Sequence, residues 1–120
     1  MNTSANETIQ KYYNAINVKD NWQLFISDDI TFASPGQNTK GKVAYVDATL
    51  RFLNVVKSVQ LIELIIEGNK ACVVASYELE SPGGKTARCE VAEILTVTGD
   101  KISSSSIYFD TAYFRSFMAQ

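Results

Sequence analysis

The chain predicts an α+β fold, with helices first and an antiparallel sheet after them, and three observations carry that expectation. The hydrophobic period is helical up to about Leu53 and becomes two-residue from Lys57 onward. From there, turn tetrads recur at short, regular intervals: EGNK at Glu67 to Lys70, SPGG at Ser81 to Gly84 and TGDK at Thr98 to Lys101. The first strand of that series is apolar on both sides, so it needs cover on both sides.

Each element follows in order. Ile9, Tyr12, Tyr13 and Ile16 fall at i, i+3, i+4 and i+7, and Ser4 with Glu7 forms a capping box, which predicts a helix from about Ala5 to Val18. Asp20 is expected to cap a second, short helix that buries Trp22, Phe25 and Leu24. A brief strand, Ile30 to Ala33, then meets the breaker run SPGQNTKG. After Gly41 a third helix places Val43, Val46, Leu50 and Leu53 on one face, flanked by Tyr45, Ala48, Thr49 and Phe52.

Four hairpin-connected strands complete the chain: Ser58 to Ile66, Ala71 to Glu80, Lys85 to Val97 and Ile102 to Asp110. In the first of them Val59, Leu61 and Ile65 face one way and Ile62, Leu64 and Ile66 the other. Helices can cover one side, and a second copy of the sheet is the simplest cover for the other, so a homodimer through the outer sheet face is expected. Ala92, Ile94 and Tyr108 belong to that outer register.

Totals narrow the function classes. A length of 120 residues with 46% hydrophobic and 20% charged side chains suits one globular domain, residues 1–120. A net charge of -2 argues against nucleic acid, which demands a basic stripe. No apolar run approaches the roughly 20 residues of a membrane span, and MNTSANET carries no leader pattern, so a cytoplasmic protein is expected. Cys72 and Cys89 form no CxxC and the chain has no histidine, which leaves no recognisable zinc or haem motif and no histidine-based triad. Neither metal nor cofactor is expected, and the GK of TKGKVAYV lacks a phosphate-cradling loop.

One strand stands out. In TARCEVAEILTV the register Ala87, Cys89, Val91, Glu93, Leu95, Val97 is apolar apart from Glu93. If SPGG sets Glu80 opposite Lys85, Cys72 lies opposite Glu93 and Ser76 opposite Cys89, with the two thiols roughly 13 Å apart and free. A three-residue loop after Val97 would set Ser105 opposite Glu93 and Ile107 opposite Val91. A glutamate among these neighbours is desolvated, which favours its neutral, hydrogen-donating form and marks a functional cleft. The alternatives are a solvated strand end, a bulge that turns Glu93 outward, or a purely structural pairing with a buried tyrosine or arginine. Glu90, three residues away, points to the opposite face, toward solvent or a partner.

The element order, with YYNAINVKDNWQLF, DDITFASPGQNTKGKVAYV and GDKISSSSIYFD, resembles the nuclear-transport-factor-2-like (cystatin-like) superfamily, the α+β cone, and within it the SnoaL-like group and the ketosteroid isomerases. That resemblance implies N-terminal helices on a curved, mostly antiparallel sheet around a small-molecule pocket. Tyr12 matches the place of the isomerase tyrosine that donates to the developing oxyanion. Glu93 matches the second donor, a carboxylic acid kept protonated, which is a well-known case of pKa tuning, and Phe109 matches a pocket aromatic. The general base of that family is here Ser34, in FASPG, a poor base without a histidine to activate it. The acid–base residues of the SnoaL-type cyclases would fall near Glu93 and Ile107 and are unmatched in type.

The site expected from these readings has Tyr12 and Glu93 as catalytic donors. Its pocket would be lined by Tyr13, Trp22, Ser34, Tyr45, Phe52, Cys72, Ser105, Ile107 and Phe109. A small apolar or carbonyl-bearing ligand suits it, with isomerase- or lyase-like proton transfer as the chemistry and a non-catalytic dimeric module as the alternative. Asp110 is expected to cap a helix from Thr111 to Met118.

Overall fold

The computed structural model describes residues 4–119; Met1 to Thr3, which belong to the amino-terminal reading above, and Gln120 lie outside them. Helix α1 spans Ala5–Val18, and the Ser4 hydroxyl accepts the backbone N–H of Glu7, as the capping box requires. It buries Ile9, Tyr12, Tyr13 and Ile16, the four positions of its apolar stripe. A 3-10 turn, Trp22–Phe25, follows. Its cap is Asn21, in the left-handed region at φ 65 with no side-chain bond, so Asp20 does not cap it; Trp22 is buried, whereas Leu24 is exposed.

Strand β1, Ile26–Ser34, is longer than expected and forms a hairpin with β2, Gln37–Lys40, inside the run read as a breaker. Ser34 pairs with Gln37, so Pro35 and Gly36 make a two-residue loop, Gly36 taking the positive φ of 80 that a Pro-Gly turn demands. Helix α2, Lys42–Leu53, turns inward only half of the expected aliphatic face: Leu53 is buried and Val46 packs against the core, while Val43 and Leu50 are exposed and Tyr45 is buried. Tyr45 and Phe52, larger and aromatic, cover the sheet in their place.

Four long strands follow: β3 Val56–Glu67, β4 Lys70–Glu80, β5 Thr86–Thr98 and β6 Lys101–Tyr108. With β1 and β2 they form one six-stranded sheet in the order β2-β1-β6-β5-β4-β3, antiparallel except where β1 lies parallel to β6. Helix α3, Thr111–Met118, closes the chain, and Asp110 caps it by accepting the Tyr113 N–H at 2.9 Å. Three helices on an open, mostly antiparallel sheet make the α+β cone expected from the sequence.

The registers decide which side chains look inward. The Ser81 to Lys85 loop is wider than a tight turn, so Glu80 pairs with Thr86 and the β4–β5 ladder is one residue away from the expected one. Such a slip reverses a strand's faces relative to its partner. Val73 and Tyr77 therefore oppose Glu93 and Cys89, while Cys72 opposes Ile94 and Ser76 opposes Glu90 on the outer face. Cys72 and Cys89 are both free thiols.

On the other side β6 is shifted by two residues, which preserves the face: Ile107 opposes Glu93 and Ser105 opposes Leu95, both still turned inward. A bulge between Leu61 and Glu63 interrupts β3. It sends Ile62 and Ile65 outward and leaves Val59, Leu61, Leu64 and Ile66 packed against the core.

Candidate functional site

The cone encloses a cavity of about 190 Å³ between α2 and the inner face of the sheet, its mouth beside β2 and α3. Its buried end is made by Tyr12, Tyr45, Tyr77 and Glu93, together with Val91 and Cys89. Phe32, Phe52, Ile107 and Phe109 form the walls, and Ser34, Gln37 and Phe114 stand toward the opening. Aromatic contacts lock these walls: Phe32 on Tyr45 at 5.3 Å, Phe52 on Tyr77 at 5.2 Å and Phe109 on Phe114 at 5.6 Å, all edge to face.

Glu93 is 4% exposed, and its carboxyl is held from behind. The Tyr13 hydroxyl donates to Oε1, and the Ser105 hydroxyl donates to Oε2 at 2.6 Å. Burial pushes the Glu93 pKa above the ordinary carboxylate value, against the opposing pull of the bonds from Ser105 and Tyr13. The neutral acid is thereby favoured, and it carries a proton to donate.

Tyr12 and Tyr45 form a second polar unit, their hydroxyls 2.5 Å apart, with either able to donate. Burial raises both well above the ordinary phenol value, with the neighbouring Tyr45 and Glu93 adding to the effect on Tyr12, and Glu93 to that on Tyr45. Both are therefore neutral. The Thr49 side chain is also hydrogen-bonded to Tyr45, so three hydroxyls hold three protons and use two between them, which leaves one O–H in this hydroxyl chain at the cavity. Tyr77 is raised in the same way by burial, and its ring completes the floor.

The sequence-derived site is thus largely assembled, with specific corrections. Tyr12, Glu93, Ser34, Tyr45, Phe52, Ile107 and Phe109 all line the cavity. Tyr12 does not bond to Glu93, however; its helical neighbour Tyr13 does. Tyr13 and Ser105 stand behind the carboxyl rather than on the wall, and they position it. Trp22 is core beneath the 3-10 turn, and Cys72 is on the outer face because of the one-residue register slip. Ser34 is tied into the hairpin, its hydroxyl donating to the Gln37 carbonyl at 3.3 Å, which gives it no partner that would activate it as a base.

Phe32, Gln37, Thr49, Tyr77 and Phe114 line the cavity beyond the residues the sequence points to, as do Ile16, Ala48, Leu53, Cys89 and Val91. Alternation could have found Tyr77, since Val73, Ala75, Tyr77 and Leu79 form one buried register of β4. Phe32 follows from Ile30 by the same rule, once β1 is recognised as a strand that packs on one side. Gln37 needed the Pro-Gly hairpin to be recognised, and Phe114 needed α3 to be placed over the mouth. No group of three or more His, Cys, Asp or Glu among the described residues is arranged to hold a metal ion, and no helix among them is long and apolar enough to cross a membrane.

Comparison with known proteins adds the lineage. The family profile described as the SnoaL-like domain matches residues 9–105. No curated protein matches the chain in sequence. Among solved structures, TerC co-crystallised with polyporic acid superposes with a TM-score of 0.85 at 19% identity, covering 98% of this chain and 100% of that one. A nuclear-transport-factor-2-like protein of unknown function from Burkholderia pseudomallei K96243 gives 0.84 at 16%, covering 98% and 99%. A candidate SnoaL-like polyketide cyclase from Jannaschia sp. CCS1 gives 0.84 at 12%, covering 99% and 94%. At such identities the likeness is one of fold.

Proposed function

The chain belongs to the SnoaL-like domain family, and on that premise we propose that it binds a small, largely apolar molecule whose carbonyl or phenolic oxygen faces Glu93 and the Tyr12–Tyr45 pair. The observation that carries this reading is the placement of Glu93, a dry carboxyl on the wall of an apolar cavity with two hydroxyls fixing it from behind. Fixed donors aimed at one oxygen polarise it without reorganisation, which is how such a site would promote a proton transfer of the isomerase or lyase type. No cofactor enters this scheme. Glu93 is the one carboxyl among the described lining residues, so any base on that wall is the same group after it has given up its proton.

The test is calorimetric titration with acetophenone, a minimal aryl ketone, against the wild type and Glu93→Leu, with cross-peak changes at Tyr12, Glu93 and Ile107 followed by NMR. Saturable binding that Glu93→Leu weakens while Glu90→Leu does not supports the reading. Binding equally strong in Glu93→Leu contradicts it.

A specific observation favours a second reading, a dimeric module with or without turnover. On the outer face Ile65, Cys72, Ile94 and Ser106 form one row across four strands, with Val74, Ala92 and Tyr108 in the next. Ile62, Ile65, Ile94 and Tyr108 are all exposed there. Four strands of about ten residues present roughly 600 Å², near the roughly 800 Å² each partner contributes to a standard interface. We infer that a second copy covers this face. Sedimentation of the wild type as a dimer at micromolar concentration, and of Ile94→Lys as a monomer, would support it; a wild-type monomer would remove it.

A further inference from the structure

The cavity constrains its ligand more tightly than the family does. Its volume is about 190 Å³, and an apolar cavity of about 150 Å³ is filled by benzene. The remaining roughly 40 Å³, at the roughly 10–15 Å³ of such volume that one water needs, is room for about three further non-hydrogen atoms. One six-membered ring with a substituent of a few atoms fills the space; a second fused ring exceeds it.

Polarity is distributed along the depth of the cavity. Tyr12, Tyr45 and Glu93 are buried at the closed end, whereas Gln37 at the opening is exposed. The closed end gathers one carboxyl, held by Tyr13 and Ser105 with its neutral form favoured by burial, and the linked hydroxyls of Tyr12, Tyr45 and Thr49. An acceptor oxygen matches them directly, while an ammonium would have to ionise the buried Glu93 to find a charged acceptor there.

No lysine or arginine stands among the described lining residues. A ligand carboxylate would therefore lie beside Glu93 with no cation to compensate it, and an unpaired buried charge is strongly disfavoured.

Building on the binding reading above, we propose that the natural ligand is an uncharged molecule that places one six-membered ring in the cavity, with a carbonyl or phenolic oxygen at the closed end against Glu93 and Tyr12–Tyr45. Charged analogues are disfavoured by the lack of a compensating charge, and fused-ring analogues by the volume. Phe109 and Phe114, edge to face with ring centroids 5.6 Å apart, both line the cavity, so truncating either one enlarges it.

The test is a matched panel on the intact chain at neutral pH, read by calorimetry and by NMR shifts at the lining residues. Its members are acetophenone and benzamide (neutral), benzoate (anionic), benzylammonium (cationic) and 2-acetylnaphthalene (one ring larger). The neutral single-ring pair should bind alike, with the naphthyl ketone about tenfold weaker and the charged pair about a hundredfold weaker. Phe109→Ala and Phe114→Ala should each bring the naphthyl ketone up to the level of acetophenone, and two variants guard against one failing to fold.

A naphthyl ketone that binds more tightly than acetophenone to the wild type, or a charged member equal to the neutral ones, overturns the size or charge assignment while leaving the binding reading intact. If no member of the panel binds at millimolar concentration, the binding reading falls and this inference falls with it.

Discussion

Glu90 and Glu93 sit three residues apart on the same strand, β5, and the fold treats them in opposite ways. Glu90 is exposed on the outer face, opposite Ser76, where Arg88 donates to the Ser76 hydroxyl at 3.0 Å. Glu93 is buried between Val91 and Leu95, clasped by Tyr13 and Ser105, and turned toward the cavity. Identical side chains thus differ in hydration and partners because their spacing along the strand, three positions, is odd. The lesson extends to the whole sheet: the inner register is a ligand wall and core, and the outer register is an apolar row rimmed by charge.

The comparison can be broken most strongly through the aliphatic neighbours. Leu95→Ala, inside, should cost about 2–5 kcal/mol in denaturant unfolding, while Ile94→Ala, one residue along and half exposed within a single copy, should cost under about 1 kcal/mol at concentrations where the chain is monomeric. Next comes the carboxyl itself. Glu93→Leu leaves the Tyr13 and Ser105 hydroxyls without their acceptor, at about 1–3 kcal/mol for each group left unsatisfied, whereas Glu90→Leu should fall within about 0.5 kcal/mol of the wild type.

Glu93→Gln sharpens the contrast through pH. Burial raises the folded-state pKa of Glu93, so the folded chain holds a proton that the unfolded chain has released. Stability from this group is therefore full below the unfolded value and declines as pH rises toward the folded one, by up to about 1.4 kcal/mol per pH unit. Glutamine, which mimics the neutral acid, should not show that decline, so the variant gains on the wild type as pH rises. Chemical denaturation at a series of pH values gives the difference directly. The smallest effect is expected from Tyr13→Phe. Removing one bond that favours the ionised carboxyl should raise the Glu93 midpoint further and cost about 1 kcal/mol.

Much of this arrangement was legible in the chain. The spacing of Ile9, Tyr12, Tyr13 and Ile16 with the Ser4 cap defined α1, and alternation from Ala87 to Val97 identified the inner face of β5 and the anomaly at Glu93. What the sequence hid were details that depend on one residue of phase. Tyr12 and Tyr13 are adjacent on a helix, and periodicity does not say which ring reaches the sheet's carboxyl. The Ser81 to Lys85 loop is one residue longer than the four-residue SPGG turn the sequence suggests, enough to carry Cys72 from the expected pocket to the outer face. The two-residue shift of β6 did no such harm, because parity survived it. On α2, aliphatic spacing pointed to Val43 and Leu50, yet the concave sheet takes the larger Tyr45 and Phe52, a choice made by tertiary shape rather than local pattern.

The most direct test of the central claim, that Glu93 is a dry acid on a ligand wall, is an NMR titration of its side-chain carboxyl carbon, assigned by difference with Glu93→Gln. A midpoint clearly above the ordinary glutamate value of about 4.3, moving further up in Tyr13→Phe, is the result this structure predicts. A midpoint at or below that value would mean a solvated or ion-paired carboxylate, and would contradict the donor role on which the proposed site depends.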